Sequence, residues 1–307
     1  MLKLSRRTLL KNVCAAAALL NLSPGVLLAA DRARIMKKIP KTGEALAVMG
    51  LGTSGTFDVD AGDLGETELY ALMQAFFDNG GQLIDSSPMY GNAETVIGKL
   101  LKQIRNKGGL FAATKVWTDG KEAGIAQMNA SMNKMGVSVM DLMQIHNLRD
   151  WRTHLQTLRD WKDQGKIRYI GITTSHGRAH AELEAVMQSE PLDFVQFSYN
   201  IEDRAAERRL LPIALDRGIA VLINRPFQRG GLFGAVRGKA LPGWAAEFDC
   251  ASWGQFFLKF AASHPAATCV IPATAKLKHM LDNMAAGHGR LPDETMRRRM
   301  IQYMESL

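Results

Sequence analysis

The chain has 307 residues, of which 47% are hydrophobic and 22% charged, with a formal net charge of +8. That length admits one large α/β barrel or two ordinary domains, and the apolar share excludes a disordered or low-complexity chain. Lys3, Arg6, Arg7 and Lys11 precede any acid, so the chain after residue 30 carries only +4; with no basic run interleaved with aromatics, no nucleic-acid surface is expected.

The first 30 residues read as a leader. Ser5-Arg6-Arg7-Thr8-Leu9-Leu10-Lys11 is a twin-arginine pattern, followed by apolar Val13 to Leu22 and Val26 to Ala30. A basic start, a short apolar middle and the small residues Ala29-Ala30 predict a secretory signal of the twin-arginine type, cleaved near Ala30. The alternative is a retained tether. Asn21, Ser23, Pro24 and Gly25 interrupt the apolar run short of the ~20 residues a span requires, so no stable membrane insertion is expected. The expected location is the periplasm, reached in the folded state through the twin-arginine export machinery.

After the leader, strands and helices alternate. Residues 34–48 predict a hairpin turning at Lys41-Thr42-Gly43, a plug for one end of a barrel. A strand at 48–54 (VMGLGTS) runs into a Gly-rich turn, and a helix at 64–79 puts Leu69, Leu72, Met73, Phe76 and Phe77 on one face. Then come strand 81–85, helix 93–106, strand 110–115, helix 122–135, strand 139–146 and helix 151–164. Strand 167–172, helix 179–189, strand 193–197, helix 205–217 and strand 219–223 follow. A longer loop leads to helix 252–263, strand 268–271, helix 276–286 and a terminal helix from about 293.

Eight apolar strands, each followed by a helix, are the pattern of a single-domain α/β fold, the (β/α)8 TIM barrel, over residues 34–307. An open doubly wound sheet is the runner-up. GLGTS lacks the full GxGxxG fingerprint and no acid follows at the expected distance. In a barrel all strand C-terminal ends open on one face. Asp85, Tyr90, Lys115 and His146 end or follow successive strands, so they are expected to converge there.

Each of these residues also has an ordinary use: Asp85 in a turn, Tyr90 in packing, Lys115 snorkelling, His146 in the core. Together they suit one reaction. A phenol is a weak acid with a pKa near ~10, and an adjacent ammonium is expected to lower it. A carboxylate holds the ammonium, and an imidazole orients a carbonyl oxygen. That set protonates an oxygen as hydride reaches its carbon, the reduction of a carbonyl by a nicotinamide cofactor.

LIDSSPMYG, ATK and QIH resemble, in order, the Asp, Tyr, Lys and His motifs of the aldo-keto reductase family. The resemblance extends from RIMKKIPKTGE through VQFSYNIEDR and RGGLFG to IPATAKLKHMLDN. It implies NADPH bound at the strand C-terminal ends, NADP being favoured over NAD. Tyr90 would be proton donor, supported by Asp85 and Lys115, with His146 orienting the carbonyl. For the cofactor it implies Gly52 and Thr53 at the ribose, and Gln196 with Thr173 and Thr174 at the carboxamide. Asn224, Arg225 and Arg229 would lie along the nicotinamide and diphosphate, and Thr274, Lys276, His279, Asp282 and Asn283 around the adenosine end.

This chain departs from the family in three places. Thr173-Thr174 stand for Ser-Asn, Asn224 for an aromatic that stacks on the nicotinamide, and Ala273 for a lysine. Three functions are therefore weighed: a carbonyl reductase, a low-turnover NADP(H)-binding sensor or regulator, and a lyase using Lys115 as a Schiff base. Phe57, Met89, Trp117 and Trp151 are candidates for an apolar pocket wall. Cys14 lies in the leader. Cys250 and Cys269 have no Cys or His at ligand spacing, so no metal is expected, and whether they pair is open.

Overall fold

The computed structural model describes residues 33–65 and 67–307, so the leader expected at 1–30 lies outside the described residues. Strands β1 (Met36–Lys38) and β2 (Ala45–Ala47) form an antiparallel hairpin. Eight further strands make one sheet: β3 (Leu51–Gly52), β4 (Leu83–Asp85), β5 (Phe111–Val116), β6 (Met140–Ile145), β7 (Ile167–Thr173), β8 (Phe194–Ser198), β9 (Ala220–Asn224) and β10 (Ala267–Val270). They pair in sequence order and every ladder is parallel.

The two edges then meet. Met49 bridges Val270 and Gly52 bridges Ala273, both parallel. The Gly50 amide donates to the Val270 carbonyl at 2.9 Å and the Gly52 amide to that of Pro272 at 3.0 Å. A Cβ on Gly52 would stand 2.7 Å from the Ile271 carbonyl oxygen, so glycine is what lets β3 close on β10. The result is a single-domain (β/α)8 barrel with no free edge.

Helices cover the outside. In Glu68–Asp78, Thr67 caps the start by accepting the Tyr70 amide, and Leu69, Leu72, Met73, Phe76 and Phe77 are buried, the face that the spacing predicts. The helix expected over 205–217 is instead a 3-10 turn, Ala205–Arg208, followed by Leu210–Asp216. Pro212 has no N–H to give the Arg208 carbonyl, so one continuous ladder cannot form. The loop after β9 holds three short pieces, Gln228–Gly230, Gly231–Ala235 and Gly243–Phe248, whose glycines hide any helical period.

Two apolar clusters result. The larger lies between strands and helices. The smaller fills the barrel with Leu83, Phe111, Leu142, Tyr169, Phe194, Leu222 and Cys269, capped by Ile39 and Leu46 from the hairpin. The hairpin therefore plugs the N-terminal end, where the Tyr169 hydroxyl donates to Glu44 at 2.6 Å. Each such buried side chain is worth about 1.5–3 kcal/mol. Cys250 and Cys269 are free thiols, buried in the outer and inner clusters respectively. Among the described residues no helix is long and apolar enough to cross a membrane.

Candidate active site

Side chains alternate along a strand, so the residue two beyond an inner apolar position also faces the barrel axis. That rule takes Leu83 to Asp85, Ala113 to Lys115, Leu142 to Gln144 and His146, Phe194 to Gln196, and Leu222 to Asn224. Ladder register puts Lys115 beside Gln144, Thr173 beside Gln196 and Ser198 beside Asn224. A polar layer thus sits on an apolar floor at the C-terminal end.

Lys115 is fully buried. Its Nζ donates to Asp85 Oδ2 at 2.6 Å and to the Ser86 carbonyl at 2.6 Å. The other carboxylate oxygen, Asp85 Oδ1, accepts Gln144 Nε2 at 2.8 Å and Gln196 Nε2 at 3.0 Å. Gln196 also donates to Gln144 Oε1 at 3.1 Å. Asn224 Nδ2 reaches Gln196 Oε1 at 3.3 Å and the Thr174 carbonyl at 3.0 Å, while Ser198 donates to Asn224 Oδ1 at 2.7 Å. One hydrogen-bonded chain runs from β5 around to β9.

The phenol lies above this layer. Lys115 Nζ is 5.2 Å from the centroid of the Tyr90 ring, and the His146 ring stands edge-on to Tyr90 with centroids 5.9 Å apart at 89°. All four expected groups therefore meet at the C-terminal end of the barrel. Burial pushes the Tyr90 pKa up, and this outweighs the downward pull of Lys115, with Asp85 adding to the rise. The lowering expected from the ammonium alone is thus reversed, because the phenol loses its water. For Lys115, burial disfavours the charge but Asp85 and Tyr90 more than offset it, so the pKa moves up. Burial, reinforced by Lys115, drives His146 down to about 3, leaving a neutral imidazole. Phenol, ammonium and neutral imidazole coexist at neutral pH.

The rim is conformationally strained. Asn147, Leu148 and Asp150 after β6, His176 and Ala179 after β7, and Arg225, Gln228 and Arg229 after β9 all have φ between 45° and 64°. Non-glycine residues in this region cluster where function fixes the backbone.

The cofactor candidates divide into two groups. On the nicotinamide side, Gly52 is held by the barrel closure and Thr53 donates to the Asp85 carbonyl at 2.9 Å. Thr173 Oγ1 accepts the Asn147 amide at 3.3 Å. Thr174 Oγ1 and Arg225 Nη1 are buried with no partner, on the neighbouring loops after β7 and β9. Buried groups of that kind need a polar partner, which water or a bound ligand supplies. Arg225 is lowered by burial, then by Arg229, partly offset by Asp203 and with a smaller lowering from Arg178, so positive charge gathers there. These residues fit a bound anionic nucleotide.

On the adenosine side, Lys276 precedes the helix Leu277–Ala285, and its amide donates to Thr274 Oγ1 at 3.1 Å. Lys276, Lys278 and His279 are exposed around that helix start. The Leu277 amide is already taken by Glu68 at 3.0 Å, and Asn283 is buried. Asp282, expected near adenine, accepts Ser252 at 2.7 Å and Gln255 at 2.8 Å, so its carboxylate is committed to the start of the helix Trp253–Ser263.

Of the expected pocket wall, Phe57 is wholly buried in the outer core and lines nothing, a correction that follows from its packing in that cluster. Trp117 lies 6.4 Å from the His146 ring and Met89 is 42% exposed beside Tyr90. The Trp151 indole donates to Glu182 at 3.1 Å. Two residues absent from the expected set belong to the site, Gln144 and Ser87. Both lie two positions from an expected residue, and period-two alternation was the signal for them. Gly171 makes the room: a Cβ there would stand 2.8 Å from Gln144 Cγ.

Comparison with known proteins accords with this geometry. The family model described as "Aldo/keto reductase family" matches residues 48–300, and the chain belongs to that family. It is similar to an NADH-specific methylglyoxal reductase of Escherichia coli, with 29% identity over 68% of this chain and 73% of that one. The fold is similar to an aldo/keto reductase of Klebsiella pneumoniae solved with NADP and acetate, at a TM-score of 0.74 and 20% identity, covering 88% of this chain and 95% of that one. A glycerol dehydrogenase of Gluconobacter oxydans superposes with a TM-score of 0.72 at 20% identity, covering 88% and 95%.

Proposed function

We propose that the protein is an NADPH-dependent oxidoreductase that reduces aldehyde and ketone carbonyls to alcohols, with Tyr90 as proton donor. The observation that carries this reading is the buried Lys115–Asp85 pair beneath Tyr90, with the neutral His146 ring edge-on beside it. The nicotinamide, when bound, supplies hydride to the carbonyl carbon. The protein handles the oxygen. His146 donates a hydrogen bond that orients it, and Tyr90 Oη gives up its proton. Lys115 stabilises the phenolate left behind, at a site where water would otherwise have to do so. Asp85, held by Gln144 and Gln196, keeps the ammonium charged and aimed.

The nucleotide would be held on one side by Gly52, Thr53, Thr173, Thr174, Gln196, Asn224, Arg225 and Arg229. Thr274, Lys276, His279, Asp282 and Asn283 would serve the other side, Asp282 through the helix start it secures. The cations at Lys276 and Lys278, with the His279 imidazole beside them, favour a phosphate-bearing adenosine, hence NADPH over NADH. The Klebsiella protein holds NADP and the E. coli relative is NADH-specific, so the family accommodates both.

A low-turnover binding role draws on one observation: Asn224 offers hydrogen bonds to its neighbours where the family places an aromatic stack. A Schiff-base lyase has no such support, since the pKa of Lys115 is raised and the amine stays protonated. Fluorescence titration with NADPH and NADH, followed by turnover of an aldehyde panel that includes methylglyoxal, separates the readings. Reduction supports the enzyme, and tight binding without turnover supports the sensor. Twin-arginine export to the periplasm is part of the same proposal, resting on Ser5-Arg6-Arg7 and the apolar run after it. Replacing Arg6 and Arg7 by lysine is expected to abolish export, and continued export would refute that route.

A further inference from the structure

The imidazole of His146 has two nitrogens with different surroundings. Nδ1 lies 3.0 Å from the Ser87 hydroxyl, in the interior. No hydrogen bond of Nε2 to a described residue is present, and the ring lies 5.9 Å from that of Tyr90 and 6.4 Å from that of Trp117, centroid to centroid. We propose that Ser87 is a positioning residue that sets the tautomer of His146: its hydroxyl donates to Nδ1, which confines the ring proton to Nε2.

The donor direction follows from counting. A serine hydroxyl has one hydrogen and two lone pairs. Ser87 is fully buried, and its Oγ already accepts the Met89 amide at 3.3 Å. Its own hydrogen must go to an acceptor, and His146 Nδ1 is the one in reach. The opposite arrangement, with the proton on Nδ1, would leave the hydroxyl hydrogen buried without an acceptor. It would also turn the Nε2 lone pair towards an incoming carbonyl oxygen, which repels it. The chain between Asp85 and Tyr90 thus has a second task. Ser87, on the same face as Asp85 by alternation, reaches across to His146, the first residue after β6, and fixes what that side chain can donate.

The catalytic consequence rests on the carbonyl-reductase reading, whereas the tautomer itself does not. The test is therefore a heteronuclear NMR spectrum of the full protein labelled with 15N-histidine, with the His146 resonances assigned through His146→Gln. The expected spectrum shows Nδ1 unprotonated and Nε2 protonated in the wild type. In Ser87→Ala the pattern is expected to collapse towards an average of the two tautomers, with kcat/KM for aldehydes reduced about tenfold and nucleotide affinity unchanged. A proton on Nδ1 in the wild type, or a Ser87→Ala spectrum identical to it, would overturn the assignment. If Ser87→Ala fails to fold, the wild-type spectrum alone still decides. The predicted tautomer in a protein that turns over no carbonyl would sink the reductase reading and leave Ser87 its role.

Discussion

Lys115 Nζ lies 2.6 Å from Asp85 Oδ2, and both side chains are shut away from water at the end of a barrel whose floor is apolar. A buried pair of this kind contributes little net stability, yet removing one partner strands a charge at a cost of about 3–5 kcal/mol. Asp85→Asn and Lys115→Met are each expected to destabilise the protein by that order in urea unfolding. The double variant is expected to lose much less than the sum. Additive losses would show that the two groups do not act as a pair.

The ionisation states give a pH prediction. Reduction needs a protonated Tyr90, whose pKa is raised from 10.0, so the rate should stay level through neutrality and fall only in strong alkali. His146 titrates at about 3, so no inflection from it is expected near 6.5. Its lowered folded pKa means that the unfolded chain binds more protons between those values. Stability is therefore present above 6.5 and lost as pH falls towards 3, with a slope of up to about 1.4 kcal/mol per pH unit. His264, lowered to about 4, adds a similar loss, so the comparison is with His146→Gln, whose acid side should be flatter. Equal slopes would mean that His146 is not held neutral.

Gly171 supports the site without touching the reaction. Gly171→Ala would press on Gln144 Cγ, 2.8 Å from the new Cβ, and move its amide off Asp85. The expected outcome is a loss of about 1–3 kcal/mol in thermal or urea unfolding together with reduced turnover. A variant with wild-type turnover would show that Asp85 does not need Gln144.

Arg225 carries a buried nitrogen with no partner among the described residues, amid other guanidinium groups. Arg225→Gln is expected to weaken NADPH binding about tenfold and to lessen its salt dependence, read by fluorescence titration at several ionic strengths. Unaltered affinity would place Arg225 outside the nucleotide site.

The alternation of strand and helix was legible because parallel strands buried on both faces leave continuous apolar runs, and the strand ends at Asp85, Lys115 and His146 were legible because polar groups interrupt those runs. The break at Arg209 was not, since a helical apolar period continues across it while Pro212 removes one donor. The direction of the Tyr90 shift was hidden for another reason: a neighbouring ammonium can be read from strand order, whereas loss of water depends on how the surrounding loops pack. Gln144 and Ser87 are common residue types whose role comes from facing inward. The hydrogen bonds of Asp282 to Ser252 and Gln255, some thirty positions away, leave no mark in the local sequence.

The most direct test of the proposed chemistry is Tyr90→Phe, which removes one oxygen and keeps the ring against His146 and Lys115. Steady-state reduction of an aldehyde by NADPH should fall by about 10² or more, while NADPH affinity, measured separately by fluorescence, stays as in the wild type. Undiminished reduction in that variant would contradict the account, because the proton would then come from somewhere other than the phenol above Lys115.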